Sequence, residues 1–430
     1  MSLAEALIQV YESNPRLEAA RARLRAFDEG VPRALAADRP SISAQTSAIY
    51  SQLENNRGAY SLSTLRQALD LRQSLYSGGE NEALARRADN QVLAERARLF
   101  AAEQDVLLEG IAVYTAVGRD TEVLTLALQN ERILQQQLES SKQRFRFGEV
   151  SRTDVAQAET RYAGAIANRI RAEGDLALAA SEFERVVGIP PEDLLAVGQA
   201  SGLPARRDDA LALVDTHPSV IAARFDTDTA RDEVDLAYSA MKPKVTLQGQ
   251  FGYVDEPSAT LSWQRDASIG ATLTVPLYQG GGEYARVRQS KQQQQQRRYE
   301  LEDVRRGVAR DISASWRSLE TAQARLKSLD AQTRAAGLAL EGVRQEALTG
   351  VRTVLDILDA EEELFRARVE RERGGRDEVL SSYAVLASIG RLSVEELSLL
   401  VRPYDAKAYF NEVRSKWFGV DVPVTEGRSP

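Results

Sequence analysis

Four charged residues stand at spacings that could do chemistry. Arg352, Asp356 and Asp359 follow Thr349-Gly350-Val351, four and three positions apart, so on a helix they share one face. Asp154 stands at the matching place after Phe147-Gly148-Glu149-Val150. Crowded carboxylates beside an arginine suit a charged constriction or a cation site, because like charges must be compensated to stay ionised together. The plain alternative for Arg352 and Asp356 is a solvated pair worth about 0.2–0.5 kcal/mol. Bond-making chemistry finds little support. The sequence has no cysteine, which excludes thiol chemistry and Cys-based metal sites. The single histidine, His217, precedes Pro218 at what reads as a helix start, where a local structural role outweighs ligation. A serine nucleophile would lack a base partner. No catalytic residue, no cofactor and no enzyme activity are expected.

The elements that hold these residues occur twice. Gly148, Asp154, Ala158 and Glu159 stand the same distance before Gly350, Asp356, Ala360 and Glu361. Leu75-Tyr76-Ser77-Gly78-Gly79 returns as Leu277-Tyr278-Gln279-Gly280-Gly281, and Gly188 as Gly390. Asn14-Pro15 and Arg39-Pro40 return as His217-Pro218 and Lys242-Pro243, one residue further along. The chain therefore reads as a duplication, with repeat 1 over 1–202, repeat 2 over 203–402 and a C-terminal tail over 403–430.

Leu3 to Ala37 reads as helix, with Asn14 capping before Pro15 and a break near Gly30 and Pro32. The period then changes to two. Ile42, Ala44, Ala48 and Tyr50 face one way and Ser41, Ser43, Gln45 and Ser47 the other. With the polar turn Asn55-Asn56-Arg57-Gly58 and the run around Leu65 to Leu75, this gives a hairpin over about 41–75. A second, over about 244–276, sets Val245, Leu247, Phe251 and Tyr253 against Thr246, Gln248 and Gln250. It turns at Asp255-Glu256-Pro257 and returns through Ile269, Ala271, Leu273 and Val275. Pro40, Pro243 and Pro276 stand where helix meets strand. Long helices follow over about 80–147 and 282–348. They carry three-four repeats such as Leu93, Ala97, Phe100, Leu107, Ile111, Tyr114 and Leu128, and at 1.5 Å per residue each is about 100 Å long. Shorter helices over about 152–187 and 353–389 return. Ser393-Val394-Glu395-Glu396 reads as a capped short helix. The tail after Pro403 is expected to pack across the helices before Val424 to Pro430 trails off.

The formal net charge of −8 and the lack of basic runs argue against nucleic acid as a partner. No run of eighteen apolar residues is present, so a transmembrane helix is not expected, while a transmembrane barrel stays open. Met1-Ser2 runs straight into Leu3 to Leu7, as expected of a cytosolic chain or of one that begins at its mature end. Four strands are too few to close a barrel. The hairpins must either pack on their own helices or close a barrel with other subunits. Their position at the start of very long helices favours the second.

Through the duplicated halves, the Leu-Tyr-x-Gly-Gly strand exits and Gly350 to Ala360, the chain resembles the TolC-like outer-membrane channel proteins of Gram-negative bacteria. The resemblance implies an α+β membrane protein: a homotrimer in which each subunit lends four strands to an outer-membrane β-barrel continued by a long α-helical coiled-coil barrel in the periplasm. It implies that Asp356 and Asp359 ring the periplasmic entrance, with a possible cation there, and that Arg352 and Asp154 belong to a charged latch. Ala347 stands where the best-known member has a latch tyrosine. The turns Gly148-Glu149-Val150 and Gly350-Val351 match tips that meet a periplasmic adaptor protein. An inner-membrane ABC or other transporter and outer-membrane lipid are the further implied partners. The absence of cysteine removes a lipid-anchored N-terminus found in many drug-efflux members. The tail through Tyr404, Tyr409, Val413, Lys416, Trp417 and Phe418 resembles type I protein secretion members, and multidrug efflux is the alternative.

Two other classes compete: a structural coiled-coil scaffold, and a periplasmic adaptor with one helical hairpin flanked by small β modules. Neither accounts for strands at matched places in two halves. We expect the protein to need detergent for extraction; a monomer soluble in plain buffer would favour the scaffold.

Overall fold

The computed structural model describes residues 1–56 and 58–422. Arg57 of the first hairpin turn and the end of the tail lie outside the described residues. The chain opens with α1 (Leu3–Ser13), α2 (Pro15–Asp28) and α3 (Gly30–Leu35) and a short 3-10 turn, Ala36–Asp38. Next come β1 (Ser41–Asn55), β2 (Gly58–Tyr76), α4 (Glu80–Arg146) and α5 (Arg152–Val187). The second half supplies α6 (Arg207–Leu211), α7 (Pro218–Ser239), β3 (Lys244–Ser258), β4 (Leu261–Thr274), α8 (Gly282–Leu348) and α9 (Val354–Ser388). A last helix, α10 (Ala408–Val413), lies in the tail. The long helices of the two halves match in length: α4 and α8 have 67 residues each, and α5 and α9 have 36 and 35.

Two compact units cut across the sequence repeats. One contains Met1–Arg21, Ala97–Ile221 and Val304–Tyr404; the other contains Ala22–Arg96, Ala222–Asp303 and the tail from Asp405. In the first unit, Ala6 and Val10 of α1 pack with Val106, Val113, Tyr114 and Val117 of α4 and Phe183, Val186 and Val187 of α5. The hydroxyl of Tyr114 lies 2.8 and 2.9 Å from the carbonyl oxygens of Met1 and Leu195, so its polar tip is satisfied inside this core. Asn14 breaks the helix as expected: its Oδ1 accepts from the amide of Arg16 and its Nδ2 donates to the carbonyl of Val186. His217 Nδ1 accepts from the amide of Ser219 at the start of α7, and burial holds its pKa below the usual value.

In the second unit the strands form one antiparallel sheet in the order β1-β2-β3-β4. Ile42 lies opposite Leu71, Leu71 opposite Gly249, and Gly249 opposite Ile269, which fixes which residues share a face. One face carries Ile42, Ala44, Ala48, Tyr50, Leu65, Leu69, Leu71, Val245, Leu247, Phe251, Tyr253, Ala267, Ile269, Ala271 and Leu273, broken by Thr46, Gln67, Gln73 and Arg265. The other carries Ser41, Ser43, Ser47, Arg66, Asp70, Arg72, Gln248, Gln250 and Asp266. The apolar face is exposed at Ile42, Leu69, Phe251, Ile269 and Leu273, and β1 and β4 are both edges.

Several expectations need correction. Asp255-Glu256-Pro257 stays inside β3 as a bulge, with Glu256 at φ 49, and the turn falls at Ala259-Thr260. The bulge holds because the Glu256 carbonyl accepts from Thr64 Oγ1 at 2.9 Å and Pro257 needs no ladder donor there. β4 ends at Thr274, so Val275 is outside the strand. Ser393 to Glu396 forms a hydrogen-bonded turn, not a helix. Ser393 Oγ does accept from the amide of Glu396, but Ser398 at φ 51 stops the chain from continuing. Phe100 and Leu128, placed on the packed stripe of α4, are exposed, because the helix buries Leu99, Val106, Val113 and Ala127 as well as Leu107 and Ile111.

The tail packs as expected at two places. The amide of Tyr404 donates to the Tyr11 hydroxyl in the first unit. In the second, Tyr409 donates to Glu29 while Phe410 lies under the Arg96 guanidinium, 4.8 Å away. Beside them Asp28 is buried with neither carboxylate oxygen hydrogen-bonded. Burial raises its pKa to about 6 against the pull of Arg96. Because folded Asp28 holds its proton more tightly than the unfolded residue, at about 3.9, stability is greatest below that value and falls as pH rises to about 6. Asp28→Asn should raise stability at neutral pH by roughly 1–2 kcal/mol and flatten this dependence, as read by thermal unfolding in detergent. A variant less stable than wild type at neutral pH would contradict the assignment.

Candidate functional site: two capped helix turns

Both helical turns are built the same way. At the end of α4, Gly148 takes φ 79, its amide bonds to the carbonyl of Phe145, and the amide of Glu149 reaches back to Arg144. At the end of α8, Gly350 takes φ 78, with its amide on Ala347 and that of Val351 on Glu346. These are glycine-closed helix ends of the Schellman type, which a residue with a Cβ disfavours. Two residues on, the next helix starts from a side-chain cap. Ser151 Oγ accepts from the amide of Asp154, and Asp154 Oδ2 accepts from the Ser151 amide and hydroxyl at 2.8 Å each. Thr353 and Asp356 repeat this arrangement at the same distances of 2.8 Å. Each is a capping box with aspartate in the third position.

The four charged residues therefore have four different partners. Asp154 and Asp356 are engaged in the caps, and both have lowered pKa values. Bonds from the Ser151 side chain and backbone lead for Asp154; those from the Thr353 backbone and side chain lead for Asp356. Arg352 is not on the helix, which begins at Val354, so the i,i+4 pair with Asp356 does not form. Arg352 Nε instead reaches back to Glu346 on α8 at 2.8 Å. Asp359 lies one turn into α9, exposed, and pairs with Arg161 of α5 at 2.6 Å.

Beneath the turns, Leu134 and Leu138 of α4, Ala158 and Ala165 of α5, and Val354 and Leu358 of α9 form one apolar cluster, with Val150, Val155 and Tyr162 against it. Arg344 of α8 pairs with the buried Glu361 of α9, and Arg169 of α5 with Glu131 of α4 at 2.6 Å. Of the expected tip residues, Gly148, Glu149, Gly350 and Val351 are exposed and Val150 is half-buried. The tips also present Phe147, 81% exposed, and Leu348, 82% exposed.

Sequence reasoning missed Arg161, Glu346 and the Arg344–Glu361 pair. The capping boxes were in reach, since Ser151 and Thr353 stand three before Asp154 and Asp356. Arg161 was not, because nothing local marks a partner on a helix of the other repeat.

A sheet with two open edges, continued by two very long helices that turn and return through shorter ones, is the fold of outer-membrane channel subunits. The VceC outer membrane protein of Vibrio cholerae superposes with a TM-score of 0.79 over 90% of this chain and 96% of that one, at 19% identity. The CmeC outer membrane channel of Campylobacter jejuni gives 0.82 over 96% and 89%, at 13% identity. In sequence, the family model for outer membrane efflux proteins matches residues 6–188 and 212–390. The Brucella suis outer membrane efflux protein BepC is 32% identical over 98% of this chain and 92% of that protein. The Pseudomonas aeruginosa alkaline protease secretion protein AprF is 27% identical over 77% and 71%. The chain belongs to the outer membrane efflux protein family. It is a channel protein of the outer membrane, reaching into the periplasm, and its class of work is export.

Because the caps carry the helix starts, Thr353→Ala or Ser151→Ala should each loosen its first turn by about 1 kcal/mol, read as faster amide exchange at residues 354–358 or 152–156. Exchange no faster than wild type would show that packing alone sets these starts. With both aspartate pKa values lowered, the caps persist above about pH 4 and weaken as pH falls through the folded values.

Proposed function

We propose that three copies of this chain join β4 of one to β1 of the next, closing a twelve-stranded barrel in the outer membrane. The observation that carries this reading is the sheet itself, with two unpaired edges and an exposed apolar face. In lipid, every backbone polar group needs a partner within protein, and only a closed ring of strands supplies it.

At the turns, Asp356 and Asp359 form the acidic ring of a periplasmic gate, with Arg352 and Asp154 in its latch. Within one chain the described residues bring no three metal-ligating side chains together, so a cation held there needs carboxylates from neighbouring copies. Arg161 offsets part of the charge by pairing with Asp359. Opening requires α5 and α9 to separate from their neighbours, which breaks the Arg352–Glu346 and Arg161–Asp359 pairs. An adaptor docking on Gly148, Glu149, Val150, Gly350 and Val351, with Phe147 and Leu348 as apolar contacts, supplies the differential binding that favours the open state.

The exported cargo is protein, delivered through a type I secretion system with an inner-membrane ABC transporter. Similarity to AprF and to the Dickeya chrysanthemi proteases secretion protein PrtF supports this. Multidrug efflux is the second reading, favoured by the 32% identity to BepC. Deleting the gene separates them. Secretion predicts proteins lost from the culture supernatant and restored by complementation, with drug tolerance unchanged. Tolerance that falls while the supernatant stays intact would establish efflux.

In planar bilayers, Asp356→Ala with Asp359→Ala should abolish divalent-cation block of single-channel current, and Arg161→Ala should deepen it by leaving Asp359 unpaired. Block unchanged in both would remove the ring from the gate. Arg352→Ser should raise conductance, and an unaltered conductance would remove it from the latch.

A further inference from the structure

The apolar face of the sheet has a lower edge. On β1 it runs from Ile42 to Tyr50 and on β3 from Val245 to Tyr253, about nine residues each, which is the length a tilted strand needs to cross a bilayer. Toward the hairpin tips the same face turns polar, at Gln52, Ser61 and Asp255. The band therefore begins at the strand bases, where β1 leaves Pro40 and β3 leaves Pro243.

The tail comes to that edge. Arg39, three residues and roughly 10 Å of chain below Ile42, donates from Nη1 to the carbonyl of Lys416 at 2.8 Å. Its guanidinium lies 4.6 Å from the centre of the Trp417 ring. Trp417 and Phe418 stand side by side, ring centres 6.5 Å apart, and are 58% and 86% exposed. Tyr76 and Tyr278, at the exits of β2 and β4, are exposed beside the same strand ends. Aromatic rings left in water at this depth would be an unexplained cost, whereas indole and phenyl rings above cationic side chains match a phospholipid interface. Arg39 and Lys416 supply the positive charge that attracts phosphate headgroups.

We propose that the C-terminal tail is a membrane-interface anchor, with Trp417 and Phe418 inserted at headgroup depth beneath the lower rim of the strands. The tail then ties α10, and through Tyr409 and Phe410 the junction of α2 with α3 and the start of α4, to the membrane plane. A lipid contact outside the barrel wall resists tilting of the helices against the sheet. The inference rests on the apolar face meeting lipid, and Trp263, near the far end of that face, tests this separately.

The protein has three tryptophans, Trp263, Trp316 and Trp417. Each of Trp263 and Trp417 is kept alone by changing the other two to Phe, and the protein is reconstituted in phosphatidylethanolamine and phosphatidylglycerol vesicles. Doxyl lipids labelled near the headgroup or deep in the chain are compared with aqueous iodide as quenchers. Trp417 should be quenched more by the shallow label than by the deep one, and little by iodide. Quenching by iodide alone would place the ring in water, and protection from both would place it against protein; either overturns the anchor. If Trp263 responds to lipid labels while Trp417 does not, only the anchor fails; if neither responds, the lipid-facing sheet fails too. The difference between wild type and Trp417→Phe gives the same reading should the double substitutions not fold.

Discussion

The two unpaired strand edges govern everything else in this protein. β1 and β4 present 15 and 14 residues of backbone whose outward N–H and C=O groups have no partner in the sheet. In water such edges invite aggregation, and in hydrocarbon they cost several kcal/mol per unsatisfied group. The exposed apolar face adds the complementary demand, since Ile42, Phe251, Ile269 and Leu273 need a nonaqueous neighbour. The proposed ring of equivalent edges within lipid would meet both. α4 and α8 follow the strands in each half and end at the two turns.

At the far ends of those helices the chemistry differs in kind. The turns rest on glycine-closed helix ends, side-chain caps and short ion pairs. Asp154 and Asp356 serve the backbone first, so their charges are fixed in position by the caps. Asp359 and Arg352 reach other helices instead. The proposed gate would have rigid helix starts and exchangeable pairs between helices. The caps lie within the starts of α5 and α9 and would survive movement of those helices as bodies, while the pairs that join them to neighbours would break. The Arg161–Asp359 pair links the two returning helices within one chain.

Much of the fold was legible because it is written in periods and punctuation. The change from a three-four repeat to strict alternation at Ser41 and Lys244 marked the strands, and the glycines at 148, 188, 350 and 390 marked where helices end. Long elements with one dominant pattern leave little room for a competing reading. What escaped was local chemistry overriding that pattern: Pro257 inside a bulged strand, Ser398 stopping a helix, and Arg352 stranded just before its helix. The exposed Phe100 and Leu128 show a different limit, since a single stripe cannot describe a helix that packs on more than one side. The site was legible as a place and only partly as a set of contacts. Arg161 and Asp359 lie on separate repeats, and nothing within a short window of sequence joins them.

Because the chain has no cysteine, introduced pairs report directly on the strand edges. Single cysteines placed along β1, combined one at a time with single cysteines along β4, can be oxidised in outer membranes and resolved by denaturing electrophoresis. Closure between copies predicts a contiguous set of pairs that cross-link between chains and stop at a three-chain product. Cross-links formed only within one chain, or a ladder extending beyond three chains, would contradict it.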